Sequence, residues 1–91
     1  MLRLTALLRR NPGLTHDEFV AHWRDVHGPL MARPSIARHI RRYEQHAVAP
    51  GLPDWVGTPG YDGVAVQWFA SIEAFVDFLA EPDYRDHIAP D

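Results

Sequence analysis

Ninety-one residues, 46 % hydrophobic and 23 % charged, make one globular domain spanning 1–91 and exclude the multidomain enzyme classes. Twelve acidic against nine basic side chains leave a net charge of −3, so neither nucleic acid nor an anionic membrane surface is an expected partner. The absence of cysteine removes disulfides, thiolate zinc sites and cysteine nucleophiles, no run approaches the roughly 18 apolar residues of a spanning helix, and the expected compartment is the cytoplasm.

Met1 to Leu8 is a short apolar run that ends in Arg9, Arg10, Asn11, Pro12 and Gly13, the pattern of a strand followed by a turn. Thr15 and Glu18 form a capping box, with Leu14 and Phe19 placed as a hydrophobic staple across it. Phe19, Trp23 and Val26 give the helix one apolar face, and Gly28 followed by Pro29 predicts its end just after His27, so the first helix is expected over about 16 to 27. Ile36 to Val48 reads as one long strand, on which alternation puts His39, Arg41, Tyr43 and Gln45 opposite Ile40, Arg42, Glu44 and His46.

Ala49 to Gly63 holds three Pro and four Gly in fifteen residues and reads as a loop that is either functional or disordered, with Trp55 in its middle pointing to docking against another surface. In the strand that follows, Val64, Val66 and Trp68 face one way and Ala65, Gln67 and Phe69 the other; both faces look at least partly covered, as in a central strand. Ser71 caps a second helix with a stripe of Ile72, Phe75, Phe78 and Leu79, ended by Glu81 and Pro82, and Asp83 to Ile88 has room for one more helical turn.

The order β-α-β-β-α is the split pattern of a ferredoxin-like α+β fold with an antiparallel sheet and without the usual fourth strand. A chain of this length buries only roughly 60 to 65 % of its unfolded surface, which makes a partner subunit an expected part of the core. The segments NPGLTHDEFVAHWRDVHGPL, RRYEQH, GLPDWVGTPGYDGVAVQWF and SIEAFVDFLAEPDY, in that order between Leu2 and Asp91, resemble the EthD-like domain family of the dimeric α+β barrel superfamily. The resemblance implies a homodimer in which two sheets pack face to face with helices outside. It also implies a cleft between sheet and helices that takes a small hydrophobic or aromatic molecule, polyketide- or lactone-like. Typical members continue into a further strand beyond the Ala89, Pro90 and Asp91 seen here, so the resemblance implies either a truncated product or a first strand with an unpaired edge.

His27 and Tyr43 match the positions of a pocket-lining His and Tyr in the muconolactone isomerases, so the resemblance implies catalytic roles for them. From the residues themselves, His27 at a helix end is either a general acid/base or a cap on free carbonyls. Tyr43 is either a donor to a ligand carbonyl or packing. Trp23 and Phe69 are candidate walls for an aromatic ligand with core packing as the alternative, and Gln67 is an interior amide that needs partners from ligand or protein. Arg41 is a candidate for an anionic ligand group, His46 a lesser candidate on the other strand face, and Trp55 the candidate lid residue.

Six histidines include no i, i+4 pair and no H-E-x-x-H, so no metal is expected, and the Gly57, Gly60, Gly63 spacing is no dinucleotide motif. The reaction class that fits is cofactor-free proton transfer, as in a cyclase, isomerase or lyase, or an oxygenase-like activity. The alternatives are a non-catalytic dimeric ligand-binding or accessory protein of a catabolic or biosynthetic pathway, and a purely structural module.

Overall fold

The computed structural model describes residues 1–49 and 60–91. Its elements are β1 (Leu2–Leu8), α1 (His16–His22), a first π-helical segment (Trp23–His27), α2 (Gly28–Met31), α3 (Pro34–Ala37), β2 (Arg42–Ala47), β3 (Gly63–Phe69), α4 (Ile72–Leu79) and a second π-helical segment (Tyr84–Ile88). The strands form one antiparallel sheet in the order β1-β3-β2. This is an α+β domain with the ferredoxin-like order of elements, and among the described residues no helix is long and apolar enough to cross a membrane.

Register sets which residues look at the helices. Leu4 pairs with Gln67 and Gln67 with Tyr43, while Ala6 pairs with Ala65 and Ala65 with Gln45. Directly paired residues share a sheet face, so Leu4, Gln67, Tyr43 and Gln45 stand on one side and Val66, Trp68, Glu44 and His46 on the other. The core lies on the first side: Met31, Ile36, Phe69, Phe78 and Ile88 are buried together, with Leu2, Leu4, Ile40 and Tyr43 packed around them. The rings of Phe69, Phe75, Phe78 and Tyr84 form a chain of contacts with centroids 4.8 to 6.3 Å apart, the spacing at which aromatic edges and faces attract.

Both expected caps are present. Thr15 Oγ1 accepts from Glu18 N at 3.1 Å while Thr15 N donates to Glu18 Oε1 at 2.9 Å, and Ser71 Oγ accepts from Ala74 N at 3.1 Å.

Three expectations are corrected. The first helix does not stop at Gly28-Pro29: it widens into the π turn over Trp23–His27 and continues as α2. Gly28 has an ordinary right-handed helical φ of −55°, and its N–H reaches back five residues to Trp23 O. Pro29 has no N–H for the Asp25 carbonyl and crowds it in α geometry, and the wide turn ahead of it accommodates the ring. The extra residue in that turn also rotates Val26 off the Phe19–Trp23 face, leaving it 45 % exposed.

The second correction concerns the long strand expected from Ile36. Pro34 opens the one-turn helix α3, which buries Ile36 completely, and pairing starts only at Arg42; Pro at the first helical turn costs no hydrogen bond. His39 and Arg41 therefore precede β2 and do not share a strand face with Tyr43.

Third, Ile72 and Leu79 are 60 % and 38 % exposed, and the buried stripe of α4 is carried by Phe78 with Ala74 and Phe75.

Two polar clamps tie these pieces together. Asp62, just before β3, accepts from Arg10 N at 2.8 Å and from His16 Nδ1 at 2.8 Å, while His16 Nε2 donates to Val48 O at 2.9 Å. The Asp62 and His16 side chains thereby join the ends of all three strands to the start of α1, and the Asp62 carboxyl lies below the ordinary range because of the bonds from Arg10 N–H and His16. At the other end Glu81 accepts from His39 Nε2 at 2.8 Å and from Arg38, fixing the residues after α3 to those after α4.

Candidate functional site

Between the sheet and the helix lies a polar group of side chains in otherwise apolar surroundings. Gln45, on β2, reaches across so that its Nε2 donates to Trp23 O and to the Tyr43 hydroxyl, both at 2.9 Å. The carbonyl it finds is the one whose helical partner has been displaced to Gly28 by the π turn. Because Gln45 occupies the phenol oxygen as acceptor, the Tyr43 O–H proton is left to point elsewhere.

Burial pushes the Tyr43 phenol above its ordinary pKa, against the opposing effects of the Gln45 hydrogen bond and the nearby Trp23 indole. The group therefore stays protonated at neutral pH, a donor rather than a base.

Two buried atoms around this phenol have no hydrogen-bond partner: the Trp23 indole Nε1, a donor, and Gln67 Oε1, an acceptor. The indole influences Tyr43 without making a well-formed bond to it. Orphaned buried polar atoms are rare because each costs about 1 to 3 kcal/mol, and they mark places where a ligand or a water supplies the missing partner.

Trp23 is held in place from both sides. Its ring stacks on Phe19 with centroids 5.4 Å apart and lies so close to Gly63 that a Cβ there would be 2.5 Å from Cζ3.

Next to this group is an open cavity of about 270 Å³, lined by Gly28, Met31, Ile40, Arg41 and Tyr43 among others. Its walls are mostly apolar, and Arg41, Arg42 and Tyr43 are the lining residues that carry polar side-chain groups. It sits just below the 300 to 1,000 Å³ usual for ligand pockets, the size of a small molecule or of one ring system.

Of the candidate residues, Tyr43 and Arg41 line this cavity, and Trp23 and Gln67 supply the unpartnered atoms beside Tyr43. Phe69 is fully buried in the aromatic core and does not line it. His46 stands on the opposite sheet face, exposed, with Nε2 2.9 Å from Glu44 Oε1. Trp55 lies outside the described residues.

His27 is in the interior of a continuing helix, one residue before the cavity-lining Gly28, and so caps no helix end and meets no terminal dipole. Its Nδ1 is instead 2.8 Å from Asp91 Oδ2, and His22 Nε2 is 2.9 Å from Asp91 Oδ1.

Sequence reasoning passed over Gln45, Gly63, His22 and Asp91. In an α-helix, residues five apart point about 140° away from each other, so the spacing of His22 and His27 carries no signal until the π turn is known. Among the described residues no group of His, Asp and Glu has the arrangement of a metal site.

A three-stranded antiparallel sheet, a helix broken by a π turn, and a protonated phenol between them define a small α+β domain with a ligand-sized space on its helical side. The chain belongs to the EthD domain family, whose model matches residues 11–91. It is 28 % identical over 100 residues to the dehydratase ustZ of Ustilaginoidea virens, covering 100 % of this chain and 71 % of that protein. It is 27 % identical over 97 residues to the dehydratase aurZ of Gibberella zeae, covering 97 % of this chain and 64 % of that protein.

Proposed function

We propose that this domain binds a small hydrophobic or aromatic molecule of polyketide or lactone type between sheet and helices and moves a proton on it without a cofactor, dehydration being the favoured reaction. The observation that carries the reading is the Tyr43 phenol, kept protonated by burial and flanked by an unpartnered donor on Trp23 and an unpartnered acceptor on Gln67. A ligand carbonyl accepts from Tyr43 or Trp23, and a ligand hydroxyl donates to Gln67. That is the recognition pattern of a hydroxy carbonyl compound. Polarising the carbonyl acidifies the neighbouring C–H, and His27 beside Gly28 is the proton-transfer group. Both curated relatives are called dehydratases, which agrees with this choice.

The other face of the sheet supports a homodimer as the working form. Val64, Val66 and Trp68 of β3 are only partly covered and Leu7 is 64 % exposed. A second copy packed on this face covers them.

Native mass spectrometry of the protein purified from its own host tests both parts. A dimer carrying a discrete small-molecule mass is expected, with that mass converted to a product 18 Da lighter on incubation, the loss of one water. A ligand recovered unchanged under all conditions rejects the catalytic reading and leaves a binding protein. A monomer without ligand rejects both.

A further inference from the structure

The side chains of His22, His27 and Asp91 form a cluster that the capping, core and cavity roles leave unused. The carboxylate of Asp91, 17 % exposed, sits between the two rings, with Oδ1 2.9 Å from His22 Nε2 and Oδ2 2.8 Å from His27 Nδ1. The π turn makes this possible by bringing residues five apart onto one side of the helix. Asp91 is tied down through its own N–H, which donates to Ile88 O at 3.1 Å in the turn that follows the second π-helical segment.

We propose that Asp91 is a positioning residue: it fixes His27 in the tautomer with the proton on Nδ1, so that Nε2 presents its lone pair, while His22 clamps the carboxylate from the other side. The proposal rests on the reading of His27 as the proton-transfer group.

An ionised carboxylate only accepts, so each ring must give it an N–H. His27 therefore carries its proton on Nδ1 and His22 on Nε2, opposite tautomers on one helix. Burial pushes the Asp91 carboxyl up, but the hydrogen bonds from His22 and His27 outweigh it and hold the group below its ordinary value, ionised at neutral pH. Among the described residues His27 Nε2 has no hydrogen-bond partner. A histidine held through Nδ1 by a carboxylate, with Nε2 free, is the arrangement in which that ring works as a base and then as an acid.

In a dehydration the balance is simple. Nε2 takes the proton from the carbon next to the polarised carbonyl, and the C–H electron pair becomes the new double bond as the C–O bond breaks. The departing oxygen leaves as water with the proton returned from Nε2, and His27 is restored. Asp91 stabilises the imidazolium formed in between and keeps its Nδ1–H in place throughout.

The test reads tautomers directly and needs no substrate. Long-range proton–nitrogen NMR of the full chain, above the titration range of histidine, is expected to show His27 as the Nδ1–H form and His22 as the Nε2–H form. In Asp91→Ala the His27 ratio of Nδ1–H to Nε2–H falls roughly ten-fold, the worth of one hydrogen bond to a charged group, whereas in His22→Ala it stays on the Nδ1–H side. A wild-type His27 with its proton on Nε2 overturns the proposal whether or not the variants fold, as does a ratio unmoved by Asp91→Ala. Failure of the catalytic reading shows separately: His27→Ala then leaves the loss of water from the copurified ligand unchanged, whatever the tautomers are.

Discussion

At the level of single residues, Gly63 and Tyr43 carry the sharpest consequences. Gly63 is where β3 begins, and its missing side chain is the space into which the Trp23 ring fits. Gly63→Ala forces a methyl to within 2.5 Å of Cζ3, and because the neighbour is a rigid buried ring, overpacking of about 1 to 3 kcal/mol follows. Urea unfolding followed by circular dichroism checks this; a midpoint equal to wild type contradicts the packing described. Tyr43→Phe removes the acceptor for Gln45 Nε2, which keeps its second partner at Trp23 O, so a loss of about 0.5 to 1.5 kcal/mol is expected. Tyr43 also sets an alkaline limit. Its folded pKa is raised, so its contribution is fully present below the unfolded value of about 10 and is lost as pH rises through the folded one. Tyr43→Phe should abolish that part of the alkaline fall in stability. Asp91 works in the opposite direction. Its folded pKa is lowered, so its contribution is present above about 3.9 and lost as pH falls through the folded value. The roles of such residues were unevenly visible beforehand. Gln67 stands out because alternation puts its amide in an interior row, whereas Tyr43 stands out through the position it shares with a pocket-lining Tyr of the family it resembles. Gly63 does not, because a glycine at the end of a loop looks like any other turn residue until its neighbour across the core is known.

Among the elements, those whose signals are local were legible in the sequence. The capping box at Thr15, the N-cap at Ser71 and the two faces of β3 follow from hydrogen-bonding chemistry and two-residue alternation, and the structure has all three. Ser71→Ala tests the second cap: removing the acceptor for Ala74 N is expected to cost about 1 kcal/mol, seen as a lower thermal midpoint with α4 otherwise intact. Elements decided by tertiary packing were not legible. Ile36 and Ile40 suit a strand by propensity, but complete burial of Ile36 beneath the sheet needs the turn that Pro34 starts. In the same way Gly28-Pro29 is a stop signal in most helices, and only a π turn lets the chain run through it. That turn is also what exposes the Trp23 carbonyl to Gln45 and brings His22 and His27 to the same carboxylate. Thus the feature that local rules misjudged is the one on which the candidate site is built.

For the molecule as a whole, the question is what lies against the uncovered sheet face. Its central row, Val64, Val66 and Trp68, is flanked on β1 by Leu7, Thr5 and, at the end beside Trp68, Arg3, and on β2 by His46, Glu44 and Arg42. The flanking charges on β2 are already paired among themselves: Glu44 accepts from Arg42 and from His46, and the Arg42 guanidinium lies 5.3 Å from the Trp68 ring centre. An apolar middle with self-compensated charges along one side is suited to self-association, because a second copy meets no unpaired charge in the centre. The expected dimer is isologous, and its centre is near Val66, the middle of β3. Val66→Glu tests this without touching the helical side, since Val66 points away from Tyr43 and Gln67. One carboxylate per subunit buried opposite its twin costs several kcal/mol, so at micromolar concentration the variant should sediment as a monomer while the wild type sediments as a dimer. Because the helical face retains Tyr43, Gln67 and Trp23, a monomeric Val66→Glu protein also shows how far the cavity depends on the second copy. Retention of the copurified ligand by that monomer places the whole site within one chain, and its loss assigns part of the site to the partner.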